Sequence, residues 1–355
     1  MNEAALVRTT KPVFTSQLGH SITRSVKFNG PYILHHRPYT IKQSNILSLA
    51  HLKRLRYTRT IIFSSQSNFI RDMSFRTIAV MGAGAMGSGI AQLLAQRGFT
   101  VNLCDKNPQI LRESAANIRR RLDAQAKRGN LTEDQLNAAR SGLQTIQSLS
   151  EACAADLVIE AVPEQIELKK SLFADIDRAA PANAFLASNT SGLDIDQLAA
   201  VTERAERVIG MHFFNPPPHM PLIEIARGKA TSDATFDAVH TLAQQLGKTP
   251  ISVSNSPGFA VNRILFPMIN EAIYALEEGV ASAKDIDRAM CLGADHPLGP
   301  LALADFVGLD ITLDILDALE RDLESDKYRA CPLLRDKVAR GELGRKTSRG
   351  FFSYS

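Results

Sequence analysis

The run Thr77-Ile-Ala-Val-Met81 leads straight into Gly82-Ala-Gly84-Ala-Met-Gly87-Ser-Gly89, and this passage decides the fold. The β-prone apolar residues read as a buried parallel strand. Ile90 to Arg97 follows as a run of good helix formers, stopped by Gly98. Strand, glycine-rich turn and helix in that order open a dinucleotide-binding unit. Gly82 allows the tight turn, Gly84 lets the backbone approach a pyrophosphate, and Gly87 lets helix and strand pack closely. Beside Ala85 and Met86, the helix N-terminus offers free N–H groups and a positive dipole end to phosphates.

Downstream, a second strand over Phe99 to Cys104 ends in Asp105. An acid at that place hydrogen-bonds the adenosine ribose hydroxyls and repels a 2′-phosphate, which favours NAD over NADP. Lys106 beside it pulls the other way. Further strands are expected over Asp156–Val162, Ala184–Ser188, Arg207–Phe214 and Thr249–Val253, with helices over Gln165–Ala179 and Ser232–Leu246. This alternation predicts an α/β, Rossmann-type doubly wound parallel sheet with its ligand at the carboxyl ends of the strands. Glu164 and the Asn189-Thr190-Ser191 turn each follow such a strand. Beyond residue 254, apolar residues recur at helical spacing over Ala260–Glu278, Ala283–Leu292 and Phe306–Leu323. The expected domains are therefore 1–72, 73–254 as the Rossmann half, and 255–355 as an all-helical C-terminal half.

Composition separates the first segment from the rest. The chain carries a net charge of +4, but residues 1–72 hold 11 Lys and Arg against Glu3 and Asp72. The remainder is mildly acidic, so it has no nucleic-acid footprint. Three readings of residues 1–72 stand side by side. Their Arg- and Ser-rich, acid-poor text fits an organelle transit peptide and hence the mitochondrial matrix. The leading reading is translated sequence upstream of a start at Met73, with a cytoplasmic protein, and the third is an interaction tail. In each case disorder is expected, because no apolar period is sustained. No stretch is long and apolar enough to span a membrane. Cys104, Cys153, Cys291 and Cys331 have no metal-ligand spacing and read as reduced thiols, and no metal is expected.

The second informative passage is Met211-His212-Phe-Phe-Asn215-Pro216, followed by Glu224. A histidine in an apolar run with a carboxylate near enough to orient it is a common way to build a general base. Beside a bound dinucleotide, that base suits alcohol oxidation, in which a hydroxyl proton leaves together with a hydride. His212 is the candidate base and Glu224 the group that would hold its ring. The bland reading is a satisfied core histidine. Pro216-Pro217-Pro218 forbids a helix and forms a rigid turn after the strand. Asn262, in the first turn of the helix after Pro257-Gly258, could face the site and donate to a carbonyl oxygen. On spacing alone it is an ordinary helix residue.

These motifs resemble the short-chain L-3-hydroxyacyl-CoA dehydrogenase family (3-hydroxybutyryl-CoA dehydrogenase-like). The matching text is Gly82 to Gln92, Ser188-Asn-Thr-Ser191, His212-Phe-Phe-Asn-Pro216, Pro257-Gly-Phe-Ala-Val-Asn-Arg263, His296-Pro-Leu-Gly-Pro300 and Gly350-Phe351. The resemblance implies NAD-dependent oxidation of a short L-3-hydroxyacyl-CoA to the 3-ketoacyl-CoA, as in the β-oxidation of fatty acids. It implies Ser191, His212, Glu224 and Asn262 as the catalytic group, with Ser191 and Asn262 on the substrate oxygen. It further implies Glu164, Lys169, Asn215 and Lys346, together with Ser191, on NAD. Coenzyme A would meet Arg121 and Arg128, and the C-terminal helices would form a homodimer. Family members usually carry a second serine where this chain has Gly192, which is expected to loosen the Ser191 turn. Two other readings are a gulonate- or crystallin-like hydroxy-acid dehydrogenase that uses no coenzyme A, and a non-catalytic NAD-binding protein.

Overall fold

The structure, a computed structural model, describes residues 75–354, so the readings of residues 1–72 lie outside the described residues. One eight-stranded sheet organises the first half. Its strands are β1 (Thr77–Met81), β2 (Thr100–Cys104), β3 (Leu143–Ile146), β4 (Leu157–Glu160), β5 (Phe185–Ser188), β6 (Val208–Phe213), β7 (Leu222–Arg227) and β8 (Thr249–Ser254). They lie in the order β3-β2-β1-β4-β5-β6-β7-β8. After β1 the chain runs outward through β2 and β3, then crosses back to place β4 on the other side of β1. That reversal leaves a crevice at the carboxyl ends of β1 and β4, where open α/β sheets bind ligands.

Neighbouring strands from β3 to β6 are parallel, as the alternation predicts. The last two strands depart from it. β7 runs antiparallel to β6, and β8 runs parallel to β7. Neither β3 nor β7 is expected from the sequence. β7 is hidden because Leu222-Ile-Glu-Ile-Ala-Arg227 has a fully buried Glu224 in its middle, which breaks the apolar pattern of a core strand.

Period-two alternation distributes β1 between two cores. Ile78 and Val80 face a cluster containing Leu94 of α1 (Ala85–Gln96), Ile118 of α2 (Pro108–Lys127) and Leu242 of α7 (Asp233–Gln245). Ala79 and Met81 face the opposite cluster, with Phe173 of α5 (Ile166–Ala179) and Leu198 of α6 (Ile195–Ala199). Two shorter helices, α3 (Glu133–Gly142) and α4 (Leu149–Ala152), flank β3. Each such aliphatic side chain, fully buried, contributes about 1.5–3 kcal/mol.

The C-terminal half has a separate apolar core. It joins Phe266 and Ile273 of α8 (Val261–Glu277), Ile286 of α9 (Ala283–Gly293), Leu301 of α10 (Pro300–Val307), Leu316 of α11 (Leu309–Asp322) and Leu334 of α12 (Pro332–Ala339). The single helix expected over Phe306–Leu323 is in fact the end of α10 and all of α11. Gly308 parts them with φ of 111°, a conformation that only glycine adopts cheaply.

Candidate active site

The dinucleotide passage folds as its glycines demand. A Cβ on Gly82 would lie 2.7 Å from the Ala161 carbonyl oxygen, and one on Gly87 only 1.8 Å from that of Gly82. A Cβ on Gly84 would meet nothing within 4 Å, because that position faces open space. The α1 N-terminus has no side-chain cap, so its first N–H groups are free to meet an anion. A cavity of about 720 Å³ lies against this turn, walled by Gly82, Gly84, Ala85, Met86, Asp105 and Lys106 among others. That volume is within the usual range for cofactor sites. Asp105 accepts from the Ala83 N–H at 2.8 Å and the Asn107 N–H at 2.8 Å, which holds the carboxylate across the crevice mouth. A glycine cradle and an aimed carboxylate fit a dinucleotide such as NAD.

The second passage resolves into a cross-strand pair. β6 and β7 put His212 directly opposite Glu224, although twelve residues separate them in the chain. His212 Nδ1 lies 2.8 Å from Glu224 Oε2, with both side chains buried. The carboxylate dictates that the proton sits on Nδ1, leaving the Nε2 lone pair free. Phe214 and Phe259 pack near the imidazole at centroid distances of 4.5 and 5.8 Å. The other oxygen of Glu224 accepts from the Ala260 and Val261 N–H groups at 3.1 and 3.0 Å. Glu224 therefore grips both the histidine and the start of α8, the helix whose first turn carries Asn262. The Asn262 amide, in a side chain 8% exposed, makes no hydrogen bond among the described residues, nor does the Ser191 hydroxyl. Ser191 is half-buried, and both groups are available to a ligand.

The Ser191 turn is held from beneath. Glu164 Oε1 accepts from Thr190 Oγ1 at 2.5 Å and from the Ser191 N–H at 2.7 Å. Lys169, 1% exposed, stands behind Glu164 rather than on the open surface, and donates to Glu160 and to the Val162 carbonyl. Burial pushes the Glu160 carboxyl up, against the opposing pull of Lys169 and of the Ser188 and Val162 donors. Gly192 sits where the Ser191 turn meets the chain before α8. A Cβ there would lie 2.3 Å from the Gly258 nitrogen, so the glycine permits backbone-to-backbone docking of the turn on the loop before α8.

Asn215 lies exposed immediately beyond the end of β6. Lys346 is ion-paired to Asp310 in the helical half and takes no part in the cavity wall. Arg121 and Arg128 are exposed on α2 and just past it, without ion pairs among the described residues. Two buried charges carry structure that sequence reading missed. Glu160 anchors the Ser191 turn. Lys248 donates to the Pro217, Pro218 and Met220 carbonyls at 2.7, 3.3 and 2.8 Å, pinning the turn that links His212 to Glu224. Burial, with the Arg97 cation nearby, pushes the Lys248 pKa down to about 8. The linear signal for Glu160 is a charge inside a strand, and for Lys248 a charge just before one.

The comparisons with known proteins agree over both halves. The 3-hydroxyacyl-CoA dehydrogenase NAD binding domain matches residues 77–256, and the 3-hydroxyacyl-CoA dehydrogenase C-terminal domain matches residues 258–354. The chain is 49% identical over 282 residues to a probable 3-hydroxybutyryl-CoA dehydrogenase of Bacillus subtilis (strain 168), covering 79% of this chain and 98% of that protein. It is 42% identical to the mitochondrial hydroxyacyl-coenzyme A dehydrogenase of Rattus norvegicus, covering 80% and 93%. The crystal structure of (S)-3-hydroxybutyryl-CoA dehydrogenase PaaH1 from Ralstonia eutropha superposes with a TM-score of 0.77 at 48% identity, covering 79% and 99%. The chain thus belongs to the 3-hydroxyacyl-CoA dehydrogenase family of NAD-dependent oxidoreductases.

Proposed function

We propose that this chain oxidises short-chain L-3-hydroxyacyl-CoA to 3-ketoacyl-CoA, with His212 as the general base. The buried His212–Glu224 pair at 2.8 Å carries the reading. Bound NAD supplies the acceptor for the hydride that leaves C3 of the substrate. His212 Nε2 takes the hydroxyl proton, and Glu224 steadies the imidazolium that results. Ser191 and Asn262 donate to the substrate oxygen as charge develops on it. Gly82, Gly84, Ala85, Met86 and Gly87 cradle the cofactor, Asp105 meets its ribose, and Glu164 and Asn215 border it, with Lys169 acting through Glu164. The names of the Bacillus and Ralstonia relatives favour a thioester substrate and a short acyl chain. Arg121 and Arg128 are the groups we assign to coenzyme A phosphates.

NADH consumption with acetoacetyl-CoA, beside acetoacetate and free sugar acids, tests the substrate. Turnover confined to the thioester is expected. Turnover of the free acids would move the protein to the hydroxy-acid reading, and NADH binding without any turnover to the non-catalytic one.

The domain division we infer is 73–254 and 255–355, supported by the separate core of the helical half. A homodimer through that half is supported by Ile264, Leu292, Phe306 and Ile311, large apolar side chains left in water, Leu292 being 76% exposed. Sedimentation of the full chain at the mass of one protomer would refute it. Among the described residues no helix is long and apolar enough to cross a membrane. The cytoplasm is the compartment we favour, consistent with free Cys104, Cys153, Cys291 and Cys331. The composition of residues 1–72 supports the mitochondrial matrix as the second reading.

A further inference from the structure

Glu160 is the last residue of β4 and is wholly buried, directly across the ladder from Ser188, the last residue of β5. A lone carboxylate there would be far too costly to keep charged. Each of its oxygens is met by donors. Oε1 accepts from the Val162 N–H at 2.7 Å and from Lys169 Nζ at 2.6 Å, and Oε2 accepts from Ser188 Oγ at 2.6 Å. Two arms leave this centre and meet again. In one, Ser188 Oγ, its proton spent on Glu160, accepts from the Thr190 N–H at 3.2 Å. In the other, Lys169 pairs with Glu164 Oε2 at 3.2 Å, while Glu164 Oε1 holds Thr190 Oγ1 and the Ser191 N–H. Thr190 Oγ1 in turn accepts from the Gly192 and Leu193 N–H groups at 3.2 and 2.8 Å. The Thr190 and Ser191 N–H groups, and through Thr190 Oγ1 those of Gly192 and Leu193, thus trace back to one buried carboxylate, while Asn189 Oδ1 accepts from the Phe213 N–H of β6.

We propose that Glu160, through Ser188 and Lys169, is a positioning residue that fixes the turn presenting Ser191 to the substrate oxygen. A buried ion pair is a poor way to gain stability, since apolar residues of similar volume commonly do as well. What it supplies is direction. All partners of Glu160 are donors, so an isosteric amide cannot replace it. With its NH₂ toward Ser188, Gln strands the hydroxyl proton. With its NH₂ toward Lys169, it sets donor against donor. The proposal rests on the role given above to Ser191.

Glu160→Gln and Ser188→Ala, with Ser191→Ala as reference, test it in the full chain. The readouts are kcat and KM for acetoacetyl-CoA, NADH affinity by fluorescence, and thermal midpoint. We expect Ser188→Ala, which cuts one arm, and Glu160→Gln, which disturbs both, to lower kcat on the order of 10- to 100-fold, as misplacement of a reacting group does. NADH affinity should stay within about twofold in Ser188→Ala, whose arm holds no group assigned to the cofactor, a split that a general loss of structure would not give. Glu160→Gln, which reaches Glu164 through Lys169, should weaken NADH binding as well. If Glu160→Gln does not fold, Ser188→Ala alone decides. Wild-type kcat in Ser188→Ala, or equal losses there in kcat and NADH affinity, would overturn the proposal. Wild-type kcat in Ser191→Ala would overturn the Ser191 assignment and this proposal with it. A slow Ser191→Ala beside a fast Ser188→Ala would sink the positioning role alone.

Discussion

The dinucleotide cradle and the His212–Glu224 hairpin belong to one sheet, yet they are built from different material. The cradle is one continuous stretch, Met81 to Gly87, and its working parts are backbone N–H groups and the absence of Cβ atoms. The hairpin is made of side chains that meet only because β6 and β7 pair in one register, with Glu224 also gripping the start of α8. The first is a property of a segment, the second of a register. The segment makes its demand at Gly82 and Gly87, where a Cβ would clash. A register depends on residues that touch nothing reactive, such as Lys248 holding the connecting turn.

The sharpest separation of the two comes from His212→Gln. Removing the base while keeping the side chain's bulk should lower kcat by about 10²–10⁴-fold, the usual worth of general base catalysis. NADH affinity measured on the same sample should be unchanged, because the cradle does not involve the hairpin. Gly87→Ala should do the reverse. Its Cβ would lie 1.8 Å from the Gly82 carbonyl oxygen, so the turn must distort. We expect a stability loss of about 1–3 kcal/mol in denaturant titration, and weaker NADH binding. Wild-type NADH affinity there would break the contrast.

Gly192→Ser probes where the two regions touch. The Gly258 nitrogen would lie 2.3 Å from the new Cβ. The turn and the loop before α8 should separate, with a several-fold fall in kcat and a loss of about 1 kcal/mol in stability. A faster enzyme would mean that the close docking does not serve Ser191. Asp105→Ala should have the smallest effect. NADH affinity should fall by about tenfold, roughly 1.4 kcal/mol, with NADPH discriminated against less and kcat at saturation intact.

The same contrast explains what could be read in advance. β1, the glycine turn, α1 and Asp105 are legible because each local demand is written in adjacent residues. α8 and α9 are legible from apolar spacing, within a residue or two of their ends. β7 is not, because a carboxylate buried for the sake of His212 breaks its alternation, and only the pairing with β6 explains it. Glu160 and Lys169 are illegible for a similar reason. Glu160 reads only as part of an expected strand and Lys169 is placed only by the resemblance, so their buried pairing is seen first in the fold. The resemblance implies Lys346 on NAD, and the fold pairs it with Asp310, a contact no linear motif encodes.

The most direct measurement is a double-mutant cycle on kcat with acetoacetyl-CoA, using His212→Gln, Glu224→Gln and the pair together. If Glu224 acts on the chemistry only through the imidazole, the double variant should be about as slow as His212→Gln alone, a strongly non-additive result. Losses that multiply in full would mean that Glu224 acts on the reaction by another route, and would contradict the base and orienter roles given to the pair.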